Sequence, residues 1–322
     1  MTRFLFRRLL FALVLVVAVS SAALLLTRLS PGDVATQLGP FAPSAEVVRE
    51  RARFDLDRSV ASQWVLWVSR AARFEFGQSF LYNRPVGGLI RQATANTALL
   101  AVIALTLATL TGIPLGIFTG SRRGGLLPRL VTGASLVCLS MPPLLTSLLL
   151  VFVAARTGWL PTGGMTSVAA VDVTWSRWVA DVAWHLPLPA LALALPIAAT
   201  FERLQSQAIA DVVRQPFILS AVARGVPHRR LVVRHAWRAS LRSICAVYGL
   251  AIGTLLSGSF VVEYIAAWPG LGRLMYEALR ARDIYLVAGC AAMGGMVLTL
   301  GGVLADVLLV AADPRVREGV VR

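Results

Sequence analysis

Six stretches of the chain run without a charged residue for 19 positions or more: 9–27, 94–121, 130–155, 182–201, 243–262 and 284–305. The hydrocarbon core of a bilayer takes about 20 apolar residues of α-helix. The runs show none of the strand-like alternation of a membrane β-barrel. The pattern predicts an all-α integral membrane protein with six transmembrane helices and a single transmembrane domain over residues 1–322. The first run follows Arg7 and Arg8 and ends near small residues, Ser20–Ala23, as a signal peptide does. It is longer than the apolar stretch of about 7–15 residues in such leaders, so it is read as a retained span.

The segments between the runs are unequal. The first, residues 28–91, carries mixed charge and is long enough for short helices lying flat on one face. Residues 202–242 make a charged segment too long for a simple connector. Within it, Leu204, Ala208, Ile209, Val212 and Val213 recur at helical spacing, so the fourth span is expected to continue beyond the membrane. Pro216 interrupts it. A short helix from Phe217 to Arg224 follows, Gly225 can end that helix in the left-handed conformation, and Leu231–Trp237 is helical again. Two readings fit this segment: a basic amphipathic stretch lying on anionic lipid, or a protruding element that transmits force.

Composition agrees with the pattern. The chain is 57% hydrophobic and 15% charged, with a net charge of +15; a soluble domain carries about 25% charged residues. All 31 basic residues are arginine. Without lysine there is no P-loop, whose Lys reaches the nucleotide's terminal phosphates, and no Schiff-base chemistry. Any ATP used must be bound by another polypeptide. With the N-terminus in the cytoplasm, the inner segments hold 17 arginines and five acids and the outer ones 14 and 11. That asymmetry obeys the positive-inside rule and places both termini in the cytoplasm. The basic charge is therefore read as topology and not as a nucleic-acid surface.

Candidate chemistry is sparse. Cys138, Cys245 and Cys290 lie in apolar runs and read as small buried hydrophobes, and His185, His228 and His235 are too scattered for a metal site. Charge inside a membrane marks ion and proton pathways, and the six runs carry none at mid-depth. A secondary transporter, a charge-selective channel and an intramembrane enzyme each lack the groups they need. A purely structural scaffold would leave the long 202–242 segment without a role. Packing devices are present. Gly112, Gly116 and Gly120 repeat every four residues, as do Gly249, Gly253 and Ser257. Small residues at that spacing form a face for close helix approach, within the chain or in a dimer. Pro114, Pro142, Pro143, Pro187, Pro189 and Pro196 should kink or break their helices.

Several segments, taken together in order and spacing, resemble type I ABC importer permeases of the dipeptide/oligopeptide/nickel family. They are Arg7-Arg8 with Leu29-Ser30-Pro31-Gly32-Asp33; Leu56-Asp57-Arg58; Phe76-Gly77-Gln78-Ser79-Phe80; Arg84-Pro85-Val86; Gly112-Ile113-Pro114-Leu115-Gly116; Trp268-Pro269-Gly270-Leu271-Gly272; Ala281-Arg282-Asp283; and Asp313-Pro314-Arg315-Val316-Arg317. The 202–242 segment is similar to the family's signature loop, a Glu-Ala-Ala triplet, three residues, a Gly, and later Leu-Pro. Here Leu219, Ser220 and Ala221 occupy the triplet and Gly225 the glycine, while Arg242-Ser243 replaces Leu-Pro.

The resemblance implies a permease subunit in a bacterial inner (plasma) membrane, without an ATPase site or cofactor of its own. Its implied partners are a second, homologous permease, two ABC ATPase subunits that bind ATP and Mg, and an extracytoplasmic solute-binding protein. It also implies that Leu219, Ser220, Ala221, Arg224 and Gly225 form a coupling helix seated on the ATPase. Arg224, Arg229 and Arg230 could meet acidic ATPase surface or lipid phosphates. Trp268, Pro269, Gly270 and Gly272 read either as an aromatic-belt anchor or as an outer gate loop dipping toward the path. Peptides lead as cargo, with nickel or other metal chelates as the alternative and a secondary transporter as a further one.

Overall fold

The computed structural model describes residues 2–29, 48–49, 52, 57–122, 124–167 and 174–312. Residues 30–33 and 313–317, which carry two of the motif segments, lie outside them. The described residues are helical apart from turns and one isolated bridge, Gln78 with Pro85. The helices are α1 (Thr2–Leu29), α2 (Val60–Ala71), α3 (Val86–Ser121), α4 (Leu126–Ser140), α5 (Pro143–Thr157), α6 (Trp175–His185), α7 (Pro187–Val213), α8 (Pro216–Ala223), α9 (Trp237–Ile265), α10 (Leu271–Arg280) and α11 (Ile284–Ala312). Between α8 and α9 lie a turn, His228–Arg230, and a π-helical segment, Leu231–Ala236.

Five helical segments are long and apolar enough to cross a bilayer: Phe6–Leu29, Val86–Ser121, Pro187–Val213, Val247–Ile265 and Ile284–Leu304. The run at 130–155, expected to break at Pro142 and Pro143, is divided between α4 and α5, which meet at an angle of 106°. The cause is local. Met141 is extended, and Pro142 and Pro143 have no backbone N–H to continue the α4 ladder. Pro143 instead starts a new helix, where its fixed φ is suited to the first position. The fourth expected span, 182–201, is offset. Pro187 opens α7 after a separate helix, α6, and α7 runs unbroken to Val213.

The described residues divide into two compact units, one within 98–268 and 300–312, the other within 2–97 and 269–299. The first is built around α7. Its core joins Leu100, Ala104 and Ala108 of α3, Leu193, Ile197 and Phe201 of α7, and Ala251, Leu255 and Val262 of α9. The second packs Leu24 of α1, Trp67 of α2, and Val86 and Ile90 of α3 with Leu271 and Leu274 of α10 and Leu286 of α11. The Trp64 indole donates to Ser21 Oγ at 2.7 Å, tying α2 to α1. Ser59 caps α2 by accepting from the Ser62 amide.

Candidate functional site

The glycines of α3 lie against the backbone of α7. A Cβ on Gly112 would stand 2.4 Å from the Ala198 carbonyl oxygen, one on Gly116 2.5 Å from that of Glu202, and one on Gly120 2.4 Å from that of Ser206. Three successive turns therefore meet without side chains between them, the close approach that small residues permit. Gly249 and Gly253 are half-buried in α9, and Ser257 beyond them is exposed.

This contact carries polar groups that an uncharged-run search does not find. Glu202 is 1% exposed and sits within the continuous helix α7. The Thr119 hydroxyl donates to its Oε1 at 2.5 Å. One turn on, buried Gln205 donates to Ser240 Oγ at 2.8 Å, linking α7 to α9. Higher up, Thr109 and Tyr248 share a hydrogen bond of 2.8 Å, and the Phe201 and Tyr248 rings pack with centroids 5.0 Å apart. Glu263 is fully buried too. The expectation that the membrane helices hold no buried acid therefore needs correction. Glu202 falls just past the last residue of an uncharged run, and only the continuation of α7 against α3 buries it.

After α7, the short helix α8 divides its residues cleanly. Ile218 and Ala221 are buried and pack with Leu231, Val212 and Val226. Phe217, Leu219 and Val222 are each at least half exposed, and Ser220, Arg224 and Gly225 are exposed with them. Of the triplet positions, Leu219 and Ser220 thus face outward, while Ala221 seats the helix on its own chain. Phe217 and Val222 belong to the exposed apolar face although no motif marks them. Gly225 has φ +79°, a left-handed backbone. Its amide donates to the Val222 carbonyl at 2.9 Å, and the Val226 amide donates to that of Ala221 at 3.2 Å. These two bonds form a Schellman stop, closed by Val226 against the α8 core. The helix therefore has a fixed length and a fixed exit direction, set by one glycine.

The Trp268–Gly272 segment is held at each end. Trp268 is fully buried among core residues of the first unit, so it is not a residue of the lipid headgroup layer. The sharp turn before it uses left-handed Ala267, whereas Gly270 is extended and Gly272 lies in α10. The Pro269 carbonyl accepts from Asn96 Nδ2 at 2.8 Å, and the Leu271 amide donates to Thr97 Oγ1 at 2.8 Å. Pro269 and Gly270 line a cavity of about 270 Å³ with Tyr82, Arg273 and Glu277. There the Tyr82 hydroxyl donates to Glu277, which also accepts from Arg273 Nε at 2.9 Å. Burial, followed by the bond to the Glu277 carboxylate, pushes the Tyr82 phenol up to about 12.

Two neighbouring motif segments meet a third, distant one in the second unit. Asp283 is 1% exposed. Its carboxylate accepts from Ser79 Oγ at 2.6 Å and from the Leu81 and Leu286 amides at 3.1 Å each. Ser79 donates its own amide to Arg84, and Val86 donates to Gly77. Gly77, at φ +92°, lies against the Tyr285 ring. Phe76–Phe80, Arg84–Val86 and Ala281–Asp283 are therefore parts of one knot around one carboxylate.

Residues 112–318 match the family model described as the binding-protein-dependent transport system inner membrane component. The chain is 34% identical to the oligopeptide transport system permease protein OppB of Mycobacterium tuberculosis, over 98% of this chain and 99% of the relative. It is 28% identical to the oligopeptide transport system permease protein AppB of Bacillus subtilis, over 98% of this chain and 99% of that one. With its series of apolar helices and these matches along nearly its whole length, the chain belongs to the family of inner-membrane components of binding-protein-dependent ABC transport systems.

Proposed function

We propose that the chain forms half of a translocation path for peptides. It pairs with a second, similar permease, receives solute from an extracytoplasmic binding protein and is driven by two separate ATPase subunits that bind ATP and Mg. Both relatives above are named as oligopeptide permeases, which favours peptides over nickel chelates. In this reading α4 and α5 together make the third crossing, giving six. The arginine excess in residues 203–242 supports a cytoplasmic α8, with both termini on the same side. The Trp268–Gly272 segment and the Asp283 knot then lie on the outer side, where the binding protein docks.

The observation that carries the coupling is the geometry of α8. Phe217, Leu219 and Val222 present an apolar face left exposed among the described residues, while Ile218 and Ala221 anchor the opposite face. A partner groove can grip the first face, and the second passes its displacement to Leu231 and the start of the helical run into α9. Helix α7 enters from the other side, tied to α3 by the glycine contact and to α9 by Gln205 and Ser240. Closure of the ATPase pair would thus move α7 and α9 as connected levers and shift the path between its two openings. Chemistry stays with the ATPase subunits; this chain supplies path and linkage.

The test is co-expression of the chain with its neighbouring transporter subunits, mild detergent extraction and peptide-stimulated ATP hydrolysis in the recovered complex. Phe217→Asp with Val222→Asp should leave membrane insertion intact and abolish recovery of the ATPase subunits. Recovery of those subunits at the unmutated ratio, with hydrolysis preserved, would refute the assignment of α8.

A further inference from the structure

Helix α6 turns two of its tryptophans outward. Trp175 is 75% exposed and Trp184 56%, and Trp159, just past the end of α5, is 74% exposed. Val179, Ala180 and Ala183 are exposed between the two on α6, with Ser176 and Arg177 as the polar groups of that face. The opposite face is seated. Val182 and His185 are buried, and Trp178, stacked on Trp175 with ring centroids 5.1 Å apart, packs on the core of the first unit. Single exposed apolar residues are ordinary, but a contiguous patch of this kind is a contact surface.

Its position and its residue types say what covers it. One residue, Leu186, separates α6 from Pro187, the start of a helix long and apolar enough to cross the bilayer. Trp184 therefore stands about 5 Å from that helix, within the headgroup layer, which adds about 5–7 Å to each side of the hydrocarbon. Indole favours this layer, with its apolar body and single N–H donor. The exposed side of α5 from Leu144 to Val153 is hydrocarbon and leads up to Trp159, so the indoles continue a lipid-facing surface. From Trp184 to Trp175 the helix rises about 14 Å. An upright α6 would lift Trp175 out of the headgroup layer, whereas a helix lying along the surface keeps the whole face in it.

We propose that α6 docks on the phospholipid headgroup layer, lying along it with Trp175, Val179, Ala183 and Trp184 toward the lipid. That this is the outer leaflet rests on the cytoplasmic α8 of the proposed function; the lipid contact itself does not. The contact extends to the turn before Trp268. Asp181 of α6 accepts from the Ser167 amide at 2.6 Å and from its hydroxyl at 2.8 Å. Gly164, in the same loop, donates its amide to the Ala266 carbonyl at 2.8 Å, and a Cβ on Gly163 would lie 2.8 Å from that oxygen. Lipid that holds α6 thereby holds the turn into Trp268.

The test places a bimane fluorophore on α6 in the assembled transporter, in nanodiscs. Cys138→Ala with Cys245→Ala makes the background, and Cys290, 1% exposed, is left in place. Val179→Cys and Ala183→Cys are labelled separately, with Leu148→Cys on the exposed side of α5 as the lipid reference. All three labels should lose emission when the phosphatidylcholine is replaced by one brominated near the top of its acyl chains. Either α6 site decides alone if the other variant fails to assemble. Quenching at the Leu148→Cys label without quenching on α6 would overturn the docking; aqueous iodide then tells whether water covers the face or, if iodide also fails, a protein partner such as the binding protein. In Trp175→Ser with Trp184→Ser, the Gly164 amide should lose hydrogen-exchange protection, and unchanged protection would overturn the link to the turn.

Discussion

Replacing Gly116 with alanine tests the helix contact on which the first unit is built. The new methyl would lie 2.5 Å from the Glu202 carbonyl oxygen and 2.7 Å from Gln205 Cβ. Both neighbours belong to the rigid part of α7, so no flexible side chain can swing away. Restoring an ordinary separation of 3.4 Å requires the two helices to part by roughly 0.9 Å. Overpacking of this kind costs about 1–3 kcal/mol. Alanine recovers about 0.5–1 kcal/mol of helix propensity over glycine, leaving a net loss of about 1–2 kcal/mol. Parting also stretches the Thr119–Glu202 bond, so the two losses are coupled. The assay is thermal denaturation in detergent, followed by loss of the monodisperse species. Gly133→Ala is the control, because a Cβ at Gly133 meets nothing within 4 Å. Gly116→Ala should melt several degrees below the control, and Gly116→Val should fail to assemble. If Gly116→Ala and Gly133→Ala melt together, the backbone contact is not what holds α3 to α7.

At Gly225 there is open space but a left-handed backbone, so the cost is conformational and not steric. Gly225→Val should weaken the α8 stop by about 1–2 kcal/mol or more and reduce coupled ATP hydrolysis, whereas Gly225→Asn, which tolerates that backbone, should retain it. Asp283→Ala strands three buried or half-buried donors at Ser79, Leu81 and Leu286, and should destabilise the protein by about 3 kcal/mol, read as a lowered melting midpoint. Asp181 is held below the usual carboxylate value of 3.8, first by the Ser167 amide and then by the Ser167 hydroxyl. A lowered value means the contact is present above 3.8 and is lost as pH falls through the still lower folded value. Hydrogen exchange at the Ser167 amide, normalised for intrinsic rate, should show protection at neutral pH that disappears only in that acid window.

The spans were legible wherever apolar content alone decides the outcome. Runs 9–27, 94–121, 243–262 and 284–305 each fall inside a long apolar helix, because lipid and core make the same demand on every residue. The Gly112–Gly120 spacing was legible for a similar reason, since close approach needs a repeat at the helical period. The bend at Pro142–Pro143 was visible as a break, but not its angle, which depends on how α5 packs on α7 and α9. The burial of Glu202 depends on α3 lying alongside, a relation between positions more than 80 residues apart that no local window contains. Trp268 read either as an interfacial anchor or as part of a gate loop, and its burial follows from the Ala267 turn that folds it inward. The same holds for the Asp283 knot. Its members each looked like fragments, and only the tertiary structure joins them.

The π-helical segment Leu231–Ala236 has a consequence for how the chain tolerates changes in length. Here the ladder skips a residue, with the Trp237 amide donating to the Val232 carbonyl five positions back. A π-turn holds one residue more than the α-turn it replaces. Removing a single residue at 233–235 would let the ladder close as ordinary α-helix and leave every face of α9 pointing where it does now. A deletion a few residues later, inside α9, would instead turn the whole following helix by about 100° and carry Tyr248 away from Thr109. Single-residue gaps between this chain and its relatives should therefore collect at 231–236 and be absent from the run that follows.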